Sequence, residues 1–112
     1  MAVATFVKEG NSIDYTPGAD VAAGDVVVQN DLIGVAKLDI KANRLGALSV
    51  SGEFDFPKPT GSGQSIDAGL EVYWDEASEQ VTTTPGSGDK LLGKTTKAAG
   101  EDDTTVRVRL TQ

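Results

Sequence analysis

Residues Gly46–Phe56 read GALSVSGEFDF, and their alternation decides the fold class. Leu48, Val50, Phe54 and Phe56 share one parity, while Ser49, Ser51, Glu53 and Asp55 hold the other. Successive side chains of an extended chain point to opposite faces, so this pattern predicts a strand with one buried and one wet face. Gly52 interrupts the apolar series, as a bulge or a close approach of backbones would require.

The same logic extends outward. In the tail TTVRVRLTQ, Val106, Val108 and Leu110 are expected inward and Arg107 and Arg109 outward. Further strands are predicted at Ala2–Lys8, Ile13–Thr16, Asp25–Gln29, Leu32–Leu38, Glu71–Trp74, Gln80–Thr84 and Leu91–Thr96. Turn-forming residues separate them at Glu9–Asn11, Gln29–Asp31 and Pro57–Gly63. No window carries a helical stripe across three turns, so at most a short helical turn is expected, near Gly63–Ala68. These elements predict an all-β protein: a single domain over residues 1–112, built as a small β-barrel or sandwich of about eight short strands.

Composition agrees. A chain of 112 residues has room for one domain with a modest core. Leu, Ile, Val and Phe supply 27 residues, above the range of disordered chains, and twelve of these are valine. β-branched side chains are stiff at χ1 and fit a pleated surface better than a helix. The net charge of −7 repels phosphate backbones, so no nucleic-acid partner is expected. No run approaches the ~20 apolar residues of a membrane-spanning helix, and the first ten residues do not read as a secretion signal. A soluble protein made in the cytoplasm is the expectation.

Histidine and cysteine are absent, which removes the Ser-His-Asp triad, the Cys-His pair and the usual zinc sites. No cofactor and no metal are expected. The segment GDKLLGKT, Gly88–Thr95, nevertheless matches the phosphate-loop pattern, with Gly88, Gly93, Lys94 and Thr95 in its fixed positions. That pattern works when a buried strand feeds the loop and a helix leaves it. Here the lead-in QVTTTPGS is polar and broken by Pro85, and TKAAGEDDTT follows where an amphipathic helix should run. The match reads as chance. Asp75, Glu76 and Glu79 beside Tyr73 and Trp74 suggest either an acid pair of glycosidase type or a plain hairpin turn, and the turn is preferred for want of a cleft. The acidic run Gly100–Asp103 lacks the spacing of a calcium loop and reads as a solvated turn.

An internal echo is present. VAAGDVVV at Val21–Val28 and IDAGLEVY at Ile66–Tyr73 share an Ala-Gly turn that launches a strand. Each precedes a glycine-containing partner, LIGVAK at Leu32–Lys37 and LLGKTT at Leu91–Thr96. A structural repeat and shared turn physics both account for it.

The order of these motifs resembles a family of tailed-phage and prophage proteins, the capsid cement or head-decoration proteins. The resemblance rests on Ala23–Asp25, LIGVA at Leu32–Ala36, VYWD at Val72–Asp75 and the closing TTVRVRL, and it covers nearly the whole chain. Members are sometimes labelled predicted phage recombinases, a label for which these residues offer only the phosphate-loop match set aside above. The resemblance implies a compact, mainly β protein with no catalytic residues. It implies binding to the outside of an expanded icosahedral capsid, with the major capsid protein as partner, and a homotrimer at least on that surface. The virion exterior is then its place.

Residues 1–10 are expected to form an N-terminal arm, since AVATFVK is β-prone and chain termini are often free to pair elsewhere. Candidate capsid or subunit contacts are Phe6, Tyr15, Trp74, Arg107 and Arg109. Trp74 and Tyr15 are expected nearest the surface and the phenylalanines in the core. Two other readings compete: a small β-barrel module that binds a peptide or glycan on Tyr73 and Trp74, and an enzyme working through Lys94 or Asp75.

Overall fold

The computed structural model describes residues 3–111. They form nine strands: β1 Ser12–Tyr15, β2 Val26–Gln29, β3 Leu32–Val35, β4 Gly46–Ser49, β5 Gly52–Pro57, β6 Glu71–Asp75, β7 Gln80–Thr82, β8 Lys90–Thr95 and β9 Thr105–Leu110. The fold is all-β, and the described residues contain no helix. The helical turn expected near Gly63–Ala68 is absent. Gly61 and Gly63 hold positive φ there, and Ile66 pairs with Ala99 as an isolated bridge.

The stretch GALSVSGEFDF is two strands and not one. β4 belongs to a four-stranded antiparallel sheet, ordered β1-β4-β3-β2, and β5 to a five-stranded one, ordered β5-β9-β8-β6-β7. The chain changes sheets at Val50–Ser51, and Gly52 (φ 107) takes up the turn in a conformation closed to most side chains. Alternation survives the switch because the parity carries through. Ser49, expected outward, is buried because the first sheet is covered on both faces.

The five-stranded sheet curls until Cα atoms of its edge strands, β5 and β7, come within 8 Å of each other. Inside the curl lie Phe56, Val72, Trp74, Val81, Leu92, Val106, Val108 and Leu110, joined by Ile33 and Val35 from β3. A smaller cluster of Ala36, Ile40 and Leu48 sits on the other face of the first sheet, against Ile13, Tyr15 and Val27.

The internal echo is a structural repeat. Strand by strand, β1, β2, β3 and β4 correspond to β5, β6, β8 and β9, and they stand in the same order in the two sheets. The register agrees: Val27 faces Gly34 as Val72 faces Gly93, and Ile13 faces Leu48 as Phe54 faces Val108. So do the turns. Val21 bridges Ile40 as Ile66 bridges Ala99. The Gly24 amide donates to the Ala36 carbonyl (2.6 Å) as Gly69 donates to Thr95 (2.7 Å). The halves differ in one element. β2 and β3 join through Asn30 and Asp31 alone, whereas residues 75–90 make a longer excursion that contains β7, paired to the outer edge of β6.

Candidate interaction surface

Residues 3–9 form no strand, and Val3, Phe6 and Val7 project into solvent. The expected strand Ala2–Lys8 is therefore not formed over residues 3–8, and Ala2 lies outside the described residues. β-propensity alone does not hold a strand that has no partner. Phe6, expected in the core, is 78% exposed. The arm is held near its root, where the Lys8 ammonium donates to Asp14 on β1 (3.3 Å).

Leu70 is partly exposed, and two large apolar side chains stand almost wholly in water, Leu38 (78% exposed) and Leu45 (72%). In the repeat they correspond to Lys97 and Thr105, which line one shallow depression with Asp55 and Arg107. Asp14, at the root of the arm, corresponds to Asp55. The first half thus carries leucines where the second carries polar and charged groups.

Arg107 and Arg109 both point outward, as the alternation required. The Arg107 guanidinium donates two bonds to the Asp55 carboxylate (3.0 and 3.3 Å). This bonding lowers the Asp55 pKa, against the opposing effect of burial, and raises that of Arg107. Lys90 donates to Asp31 (2.7 Å), linking β8 to the β2–β3 turn, and that bond lowers the Asp31 pKa.

Trp74 is in the core at 4% exposure, contrary to expectation. Its ring meets Phe56 edge-on with centroids 5.8 Å apart. Tyr15 is half-buried against the smaller cluster. The acidic hairpin after Trp74 is a turn: Asp75 accepts from the amides of Ala77 (3.1 Å) and Ser78 (3.4 Å). In the acidic run Gly100–Asp103, Asp103 accepts from Gly100 (2.8 Å) and Glu101 from Gly63 (2.6 Å). Among the described residues no group of three carboxylates could hold a metal.

The phosphate-loop pattern falls on a turn and then β8, not on a loop feeding a helix. Lys94 and Thr95 point to opposite faces. The Thr95 hydroxyl is buried, donating to the Asp67 carbonyl (2.7 Å) and accepting from the Leu70 amide (3.0 Å). Gly93 is required because a Cβ there would overlap the carbonyl of Arg109.

One residue escaped the sequence reading. Lys58 is 2% exposed, and its ammonium donates to the carbonyls of Pro59 (2.8 Å), Gly100 (3.1 Å) and Asp103 (3.1 Å). It clips the loop after β5 to the loop before β9. A lysine between two prolines gives no sign of this in sequence.

The described surface thus offers exposed apolar groups and open, shallow depressions. A family model described as phage cement protein matches residues 7–110. The chain belongs to the phage cement protein family. No curated protein and no solved structure matches it. Cement proteins are structural components that associate with phage capsids and stabilise them, and theirs is not a family of enzymes. The two sheets form the body of this chain, and Val3, Phe6, Val7, Leu38 and Leu45 are exposed apolar groups on it.

Proposed function

We propose that this chain binds the outside of an expanded icosahedral capsid, contacts the major capsid protein there, and braces it against internal DNA pressure. The observation that supports this most directly is the family match over residues 7–110, joined to the exposed apolar set Phe6, Val7, Leu38 and Leu45. Exposed leucines and an exposed β-prone arm are costly for a free monomer and make sense where a partner covers them. Each contact can be weak, because binding repeated over a shell gains from neighbouring sites. The chain is made in the host cytoplasm, acts as a homotrimer on the shell, and takes up neither nucleic acid nor cofactor.

The test is heat disruption of expanded shells assembled without the protein. Adding it should raise the disruption temperature, and the double variant Leu38→Asp with Leu45→Asp should raise it less. A disruption temperature unchanged by the folded wild-type protein would refute the proposal.

A further inference from the structure

We propose that the outer edge of β2 receives the N-terminal arm of a second copy of this chain as an added strand. The inference rests on the repeat and the arm, and not on the capsid reading. In the second half, the outer edge of β6 is covered by β7, through Tyr73↔Thr82, Trp74↔Val81 and Asp75↔Gln80. The corresponding edge of β2 has no paired strand among the described residues. The hairpin β2–β3 closes with a two-residue turn, so Gln29 and Leu32 form a hydrogen-bonded pair. Alternation then aims the N–H and C=O groups of Val26 and Val28 away from β3, toward solvent. An unpaired edge of this kind is a template for another strand.

The edge is also shaped for that occupant. Asp25 and Val26 line one side of a groove whose other side is Pro57, Trp74, Glu76 and Glu79. Within residues 3–7 no side chain is charged, so the segment can lie along the groove without bringing a like charge to Asp25, Glu76 and Glu79. The arm segment Val3–Val7 alternates, with Ala4 and Phe6 on one face and Val3, Thr5 and Val7 on the other. Phe6 gives it an apolar anchor to set beside Pro57 and Trp74.

The arm must come from another molecule. β1 and β2 are opposite edges of the first sheet, three strand spacings or about 14 Å apart. Crossing that distance consumes about four of the residues 3–7 at ~3.3 Å each, since Lys8 is already held at Asp14 on β1. Too little arm would remain to pair. Donation from copy to copy is head-to-tail, which closes into a ring or continues as a chain.

Analytical ultracentrifugation of the isolated protein tests this, with no shells present. The full chain should associate by about 1 mM, the effective concentration reached by neighbouring tethered sites. A chain lacking residues 2–8 should stay monomeric. So should Val28→Pro, which blocks the edge without removing a ladder bond, and Phe6→Asp, whose exposed position leaves the monomer fold intact. Mixing the arm-deleted chain with Val28→Pro should give one-to-one heterodimers and nothing larger, since one supplies only an edge and the other only an arm. A full chain that remains monomeric, an arm-deleted or Phe6→Asp chain that associates like wild type, or a mixture without heterodimers would overturn the proposal.

Discussion

Gly93 lies so close beneath the carbonyl of Arg109 that no side chain can stand at that position. The approach joins β8 to β9, where Gly93 faces Leu110 and Lys94 faces Arg109. A glycine that satisfies a phosphate-loop pattern is thus explained by strand packing. Gly93→Ala should cost at least about 3 kcal/mol in urea unfolding, because the backbone of two strands must separate. Lys94→Ala, on the exposed face, should stay within about 0.5 kcal/mol and leave the protein's interactions unchanged. A loss of nucleotide binding on Lys94→Ala would instead revive the phosphate-loop reading.

The ammonium of Lys58 holds three carbonyls in a buried site. Lys58→Met keeps the apolar stem and deletes all three bonds, and should destabilise by about 3 kcal/mol in the same assay. The amides of Thr60 and Gly61 and of residues 100–103 should lose hydrogen-exchange protection together, since both loops are released by one change.

Trp74 packs on Phe56 inside the curled sheet, so its fluorescence should be blue-shifted and poorly quenched by iodide. Trp74→Ala should cost about 3–5 kcal/mol, as truncation of buried aromatic residues does. Red-shifted emission that a peptide or glycan perturbs would support the binding-module reading in its place.

The Asp55 carboxylate, bonded by Arg107, titrates below an ordinary aspartate. Its folded pKa is depressed, so the pair stabilises above the unfolded-state value, and that contribution fades as pH falls through the folded pKa. Carboxyl carbon NMR should find Asp55 titrating low in the wild type and returning to the ordinary range in Arg107→Ala. The stability difference between the two proteins should shrink below about pH 3.9, the unfolded-state value, as the carboxylate protonates.

Much of this was legible in sequence, for physical reasons that also mark where legibility stopped. The tail TVRVRL shows its buried face directly because one face of β9 lines the core and the other meets water. In GALSVSGEFDF the parity survives a change of sheet, so periodicity cannot reveal that β4 and β5 part at Gly52. The stretch Ala2–Lys8 has strand composition but no partner within residues 3–111, and a strand is a property of pairs. The position of Trp74 next to Asp75 at a strand end suggests a surface ring, yet the carboxylate belongs to the turn and the ring to the core. The repeat was visible in VAAGDVVV and IDAGLEVY alone; β1 and β5, SIDY and GEFDFP, match in register more than in residue. Of the candidate contacts, Phe6 and Arg109 face solvent, Arg107 is held by Asp55, Tyr15 is half-covered and Trp74 is enclosed.

The central claim is that this protein fastens to a phage shell. Co-sedimentation with expanded and unexpanded shells assembled without it tests that claim most directly. The account predicts saturable binding to expanded shells, stoichiometric with the capsid subunits, and far weaker binding to unexpanded ones. Folded protein that stays in the supernatant with both forms would contradict it.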